Sequence, residues 1–392
     1  MKIAVIGVKG LPARQGGIEH YCETLYPRIV EQGHSVDLFA RSSYVNKPWF
    51  SVSEYKGMRI ICLPSFPLRG LDAFTNSFFA ALVASYKNYD VVHFHALGPA
   101  LFSVIPRLFS SAKIVVTCQG LDWQRLKWGK FSSKIIRLGE KTAAIYAHEI
   151  VVVSKALRTY FAKTHRIRPI YIPNGPGEYL ESDSNLESVK SFGLIPEKYL
   201  LFLGRLVPEK RPDLLIQAFK ILKKTGWKLA IAGGDSDTTE FTKKLHELAE
   251  ENPDIVFTGE VKGSRLAEIV KGAGLFVSAS ELEGLPLAML EAMREGIPVV
   301  ASDIAPHRQL LDSDRGLLFD STSVLACAKA LEQAMLHPEQ LTVVAEKAQA
   351  HVKANYDWSK ITADNLAVYD RDFGLVESTI DSSQLFTKKS LT

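Results

Sequence analysis

The sequence predicts a two-domain α/β protein in which each domain is a doubly wound parallel sheet with helices on both faces. Three observations carry this. Short apolar runs alternate with longer segments of helical character through the first half, and the same rhythm restarts at Tyr199. Between the halves lies Ile172-Pro173-Asn174-Gly175-Pro176-Gly177, the stretch densest in turn formers. Charge changes sign there too: residues 1–173 carry 23 Lys+Arg against 10 Asp+Glu (net +13), and the remainder carries 24 against 33 (net −9). At 392 residues and 46% hydrophobic content, the chain can build two ordinary cores and does not resemble a disordered protein. The domain boundary is placed between residues 173 and 174.

In chain order, the first domain offers strands at Ile3–Gly7, Ser35–Ala40, Arg59–Leu63, Val91–His95, Lys113–Thr117 and Glu149–Ser154. Each is short and apolar on both faces, as parallel strands covered by helices must be. The second domain offers Tyr199–Leu203, Lys228–Ala232, Ile255–Thr258, Leu275–Ser278 and Pro298–Ala301. A helix is expected from about Leu287 to Arg294, because Pro286 suits a helix start and Gly296 a helix end. Residues from about 373 onward are polar and poorly patterned and read as a frayed tail.

Other classes are excluded by composition. Cys22, Cys62, Cys118 and Cys327 form no C-x-x-C pair, so neither a disulfide framework nor a zinc site is indicated. Met1-Lys2 leads directly into the first strand, and no apolar run approaches membrane-spanning length. A cytoplasmic protein is the simplest reading, with the inner face of the membrane as a candidate surface. The basic first half calls for an anionic partner, for which anionic lipid or a lipid-linked diphosphate fits better than nucleic acid.

The chemistry concentrates in Ser278–Asp303. Glu283 lies on the turn before the expected helix and Glu291 inside it, so the two carboxylates could line one pocket. The N–H groups of Gly284, Leu285 and Leu287 fall at the helix N-terminus, which favours an anion. A phosphate flanked by two acids suggests a nucleotide sugar, whose hydroxyls would satisfy them. At the other end of the chain, Gly7–Gly17 follows the first strand in the place of a dinucleotide fingerprint but lacks G-x-G-x-x-G spacing, which argues against a nicotinamide enzyme. His93 and His95 end a strand and are expected to point in alternate directions, so that at most one faces the cleft.

The run E-G-x-P-x-x-x-x-E-A-M-x-x-G-x-P-V-V, from Glu283 to Val300, resembles the E-x7-E signature of family 4 glycosyltransferases, retaining enzymes of the two-domain GT-B fold. The resemblance implies that Glu283 contacts the donor sugar and Glu291 the ribose. Gly16-Gly17-Ile18-Glu19 is similar to the family's glycine loop over the donor diphosphate. Gly204-Arg205-Leu206-Val207-Pro208-Glu209-Lys210 matches its G-R-x-x-x-x-K, with Arg205 and Lys210 neutralising the leaving diphosphate. It also implies Gly234 near the nucleotide, backbone at Val261 near the base, and a last helix, within 356–372 and starting near Trp358, that crosses back onto the first domain.

At one position the sequence departs from the family: Gln119 stands where many members have a histidine against the transferred sugar. An amide can still donate and accept with a hydroxyl. The following Asp122, Trp123, Arg125, Lys127 and Trp128 resemble a bacterial subgroup associated with surface polysaccharide assembly and read as acceptor-side. Lys127, Lys130, Lys134, Arg137 and Lys141 then make a basic helical stripe, with Phe131, Ile135 and Leu138 beside it, which suits either anionic headgroups or plain solvent.

The expected activity is retaining, metal-independent transfer of a hexose from a nucleotide-diphosphate sugar to a saccharide or polyprenyl-diphosphate-linked acceptor. No cofactor and no metal ligands are assigned. The charge of the leaving group falls to Arg205, Lys210 and helix amides. A glycosidase pair is disfavoured because Glu291 would be held at ribose. A non-catalytic nucleotide-sugar-binding subunit, prompted by Gln119, and a GT-B epimerase or phosphorylase are the alternatives.

Overall fold

The computed structural model describes residues 1–370 except 15, 67, 69, 126–127, 178–184, 223–225, 236–237, 251 and 313. The expected tail from 373 onward and Lys127 lie outside the described residues.

Two sheets form. The first contains β1 (Lys2–Ile6), β2 (Ser35–Arg41), β3 (Val52–Tyr55), β4 (Met58–Leu63), β5 (Val91–His95), β6 (Lys113–Cys118), β7 (Glu149–Val152) and β8 (Ile170–Tyr171), in the order β3-β4-β2-β1-β5-β6-β7-β8. All neighbours are parallel except β3 with β4. The second contains β9 (Tyr199–Leu203), β10 (Lys228–Ala232), β11 (Ile255–Gly259), β12 (Leu275–Ser278), β13 (Val299–Ser302) and β14 (Leu317–Phe319), in the wholly parallel order β11-β10-β9-β12-β13-β14. Chain order reverses at β1/β5 and at β9/β12, the switch points of two Rossmann-like domains, where ligands bind beyond the carboxyl ends of the strands.

Burial explains which elements the sequence revealed. All five residues of β5 are buried, as are four of five in β1, β9 and β10, so continuous apolar runs mark them. The antiparallel edge strand β3, with exposed and half-buried residues in alternation, has no such run and was not expected. Nor were the two-residue β8 and the three-residue β14. The second-domain crossover helix spans Leu287–Arg294, with Pro286 at its N-cap and Gly296, at φ 75°, two residues past its end.

The last described helix, Trp358–Tyr369, leaves the second domain and packs on the Gly17–Glu31 helix of the first. Asp357 caps it through the Lys360 N–H at 2.9 Å. Asn365 Nδ2 donates to the Tyr21 hydroxyl at 3.0 Å, and the Tyr369 hydroxyl lies 2.7 Å from His93 Nδ1. Trp358 Nε1 donates to the Pro176 carbonyl at 2.9 Å, which ties the helix to the segment joining the domains.

His93 and His95 correct the expectation made for them. Residues two apart on a strand share a face, and their rings lie 4.2 Å apart, both buried and both bonded to the Tyr26 hydroxyl, at 3.0 and 2.7 Å. Burial holds both imidazoles neutral, His95 down to about 3. Both pack against Tyr26, and His93 meets Tyr369, so the pair seats the Trp358–Tyr369 helix.

Candidate functional site

Because β9 and β12 are hydrogen-bonded neighbours, the loops leaving their carboxyl ends must meet. The β9 loop carries Arg205 and ends in the one-turn Pro208–Lys210 helix, and the β12 loop carries Ser280 and Glu283. Lys210 Nζ lies 2.7 Å from Glu283 Oε1, which also accepts from the Ser280 hydroxyl at 2.8 Å. Burial alone would raise the Glu283 pKa. The Lys210 charge and bond, nearby His307 and the Ser280 hydroxyl outweigh it, so the carboxyl sits below its ordinary range.

His307 backs this turn. Its Nδ1 lies 2.8 Å from the Ser302 carbonyl and its Nε2 3.3 Å from the Ser278 hydroxyl, and burial lowers its pKa to about 4. The Arg205 loop is anchored by backbone, since Gly204 N–H donates to the Ala232 carbonyl and Leu206 N–H to that of Gly234, each at 3.0 Å. A Cβ on Gly233 would fall 1.8 Å from the Gly204 carbonyl oxygen, so only glycine allows this approach.

The first domain closes the other wall. Gly120, Leu121 and Arg125 line one pocket with Arg205, Glu209, Lys210, Leu282, Glu283 and Gly284. A Cβ on Gly284 would lie 1.9 Å from the Gln119 carbonyl oxygen, so the two domains meet backbone to backbone there. Burial lowers the Arg205 pKa and Arg125 adds to this, with Glu209, Glu283 and Asp122 opposing. The guanidinium stays charged at neutral pH.

The other sequence candidates are distributed as follows. Gly17 meets the second domain, a Cβ there coming within 3.1 Å of Leu287 Cδ1, whereas a Cβ on Gly16 would fall 2.1 Å from Glu19 Oε2 of its own loop. Glu19 turns back into its own loop, accepting from the Lys9 N–H at 3.1 Å. Leu285 is buried and Leu287 opens a helix with no side-chain cap. Glu291 Oε1 accepts from the Gly177 N–H at 3.2 Å, so the ribose candidate is held by the interdomain segment in this structure. Val261 is buried just past β11.

Gln119 Oε1 accepts from Asn174 Nδ2 at 2.7 Å. Asp122 pairs with Arg125 at 3.0 Å, and Arg125 alone of the four described acceptor-side candidates lines the pocket. Trp123 donates to buried Glu140 at 2.8 Å, and both Trp123 and Trp128 pack against the core, which makes them supports of this wall.

Sequence reasoning passed over Glu209, read as a spacer between Arg205 and Lys210, and over Asn174, read as a turn former. His307 carried no local signal, because it reaches Ser278 only through the pairing of β12 with β13. Among the described residues no group of three or more His, Cys, Asp or Glu could hold a metal ion. The chain does carry Asp-x-Asp triplets at 235–237, 312–314 and 370–372. Asp235 accepts from Thr238 N–H and the Thr239 hydroxyl, each at 2.6 Å, and Asp312 and Asp314 sit beside Arg315 at 3.4 and 3.8 Å. None of these described aspartates lines the pocket.

Residues 187–351 match the family model for glycosyl transferases group 1, and the two sheets with their interdomain site define a glycosyltransferase of the GT-B class. Residues 15–175 match the model for glycosyltransferase family 4, and the chain belongs to that family. It is 23% identical to a GDP-mannose-dependent α-(1-6)-phosphatidylinositol monomannoside mannosyltransferase of Mycobacterium tuberculosis, covering 93% of this chain and 97% of that enzyme. It is 21% identical to an amylovoran biosynthesis glycosyltransferase of Erwinia amylovora, over 88% and 93%. Among solved structures, sucrose-phosphate synthase of Thermosynechococcus elongatus superposes with a TM-score of 0.81 at 21% identity, over 94% of this chain and 98% of that one. Anabaena HepE, solved with UDP-glucose, superposes at 0.77 with 18% identity, over 94% and 100%.

Proposed function

We propose that this glycosyltransferase moves a hexose, with retention and without metal, from a nucleotide-diphosphate sugar to a saccharide or lipid-linked saccharide in surface polysaccharide or glycolipid synthesis. The observation that carries the reading is the convergence of Arg205, Lys210 and Glu283 at the second-domain switch point, opposite Gly120 and Arg125. Arg205 and Lys210 stabilise charge on the departing diphosphate, the Leu287–Arg294 helix adds its open amides, and a fixed site of this kind lowers the barrier because the charge develops where the donors already point.

Glu283, bound to Lys210, orients the donor sugar and does not attack it. The acceptor hydroxyl forms the new glycosidic bond on the face the diphosphate leaves, the bond from the anomeric carbon to the phosphate oxygen breaks, and that phosphate takes the acceptor's proton. UDP-glucose bound to HepE and the GDP-mannose dependence of the mycobacterial relative support a hexose donor of this class. The amylovoran and phosphatidylinositol mannoside relatives support the acceptor class.

The test is donor hydrolysis and thermal shift with UDP-, GDP-, dTDP- and ADP-sugars in EDTA. One donor should stabilise the protein and be slowly hydrolysed, and Arg205→Ala and Glu283→Ala should each abolish the hydrolysis. Loss of turnover in EDTA that Mg²⁺ restores would overturn the metal-free mechanism, and binding of no donor would overturn the site.

A further inference from the structure

The pocket contains a second carboxylate, Glu209, whose charge favours that of Arg205 but which makes no hydrogen bond of its own among the described residues. Glu209 is 7% exposed, and both of its carboxylate oxygens are buried without a hydrogen-bond partner among the described residues. Its backbone is well held, the carbonyl accepting from the Glu281 N–H at 2.9 Å, so the side chain is not displaced by a loose loop. A buried carboxylate left without donors costs several kcal/mol of desolvation. Such a group persists where a ligand supplies the missing bonds.

Glu209 contributes to the same wall as Arg205, Lys210 and Glu283, facing Leu121 and Arg125 of the first domain. Glu283 Oε1 is already taken by Lys210 and Ser280. Neighbouring cations cannot serve Glu209 once substrate is bound, because Arg205 and Lys210 would turn to the diphosphate and Arg125 is paired with Asp122 at 3.0 Å. What remains in such a pocket to donate to two carboxylate oxygens is a pair of adjacent hydroxyls.

Resting on the donor reading above, we propose that Glu209 is a sugar-binding residue of this site, its two oxygens accepting hydrogen bonds from neighbouring hydroxyls of a pyranose held between the domains. The pyranose is either the hexose being transferred or the terminal sugar of the acceptor.

The two sources separate by calorimetric titration of wild type, Glu209→Gln and Glu209→Ala with UDP, GDP, UDP-glucose and GDP-mannose, together with octyl glucoside and octyl mannoside as acceptor probes on the nucleotide-saturated protein. Removing a negative charge beside Arg205 should leave the bare nucleotide's affinity unchanged or tighten it. If Glu209 holds the donor hexose, the nucleotide sugar should weaken about tenfold or more in the same variants, so the two ligands shift in opposite senses. If it holds the acceptor sugar, nucleotide-sugar affinity and hydrolysis should stay within about twofold while the glycoside is lost. Circular dichroism and the cooperativity of urea unfolding should match wild type for the near-isosteric Glu209→Gln, and this guards against misfolding as a cause.

Equal weakening of bare nucleotide and nucleotide sugar, or no change for any ligand, the glycosides included, would overturn the proposal while leaving the donor site intact. Failure of wild type to bind any of the four nucleotides would instead overturn the donor reading, and this assignment with it.

Discussion

Lys210 Nζ and Glu283 Oε1 lie 2.7 Å apart although 73 residues separate them in the chain. The pair joins two loops that leave adjacent strands, and both side chains are largely withdrawn from solvent, at 21% and 11% exposure. Removing one partner strands the other, which for a buried pair costs about 3–5 kcal/mol. Lys210→Met should therefore lower stability towards that range, and the double variant Lys210→Met/Glu283→Leu should recover much of it while staying inactive. Urea denaturation with donor hydrolysis measures both. A double variant as unstable as the single would show that the ion pair is not what holds the loops together.

Acid should weaken the protein in two stages. The folded His307 pKa is about 4 against an ordinary 6.5, so as pH falls the unfolded chain binds its proton first, and stability declines between about 6.5 and 4. A shift of that size corresponds to about 3 kcal/mol for a single buried imidazole. His93 and His95 act in the same direction. Glu283, held below its ordinary 4.5, contributes stability that is present above that value and lost as pH falls through its lowered folded pKa. Urea midpoints from pH 7 to 4 should fall more steeply for wild type than for His307→Gln, and parallel curves would remove His307 from the account.

How far the sequence could be read depended on whether a signal was local. The Leu287–Arg294 helix emerged with its limits because Pro286 and Gly296 bracket it, and β5, β9, β10 and β12 emerged because burial on both faces leaves an unbroken apolar run. Edge strand β3 has one half-solvated face and a short polar sequence, so nothing distinguished it from a loop. At the site, residue types and spacing identified Arg205, Lys210 and Glu283, but the bond between Lys210 and Glu283 exists only through the pairing of β9 with β12. Glu209 shows the limit most clearly, since a carboxylate with no partner has no signature in a one-dimensional chain.

The Lys130–Tyr146 helix leaves Phe131 77%, Leu138 53% and Ile145 70% exposed. Lys134 and Lys141 fall between them on the same helical face and are exposed as well. Arg137 differs, its guanidinium lying 5.0 Å over the Trp123 ring. A lipid-linked acceptor would bring this face to an anionic membrane, where each lysine adds about 1 kcal/mol. Replacing Lys130, Lys134 and Lys141 by glutamate should reduce binding to phosphatidylglycerol-containing vesicles by about a hundredfold or more at low salt. Sedimentation at two salt concentrations tests this. Binding that is indifferent to both charge and salt would assign the stripe to solvent.

Gly175 sits where the chain passes between the domains, and a Cβ there would lie 2.6 Å from Trp358 Cε2 and 2.7 Å from its Nε1. The indole has little room to retreat. It is buried, donates to the Pro176 carbonyl at 2.9 Å, and packs at 5.7 Å from the Tyr21 ring. Gly175→Ala should cost about 1–3 kcal/mol by overpacking. The damage should also reach the cleft, because neighbouring Asn174 holds Gln119 at 2.7 Å. Adding Trp358→Phe shrinks the ring at the point of collision, so the double variant should be less destabilised than the sum of the two singles, a coupling that only residues in contact show. Strict additivity in urea denaturation would mean that the interdomain segment yields without moving the indole, and that Gly175 does not set the seat of the Trp358–Tyr369 helix.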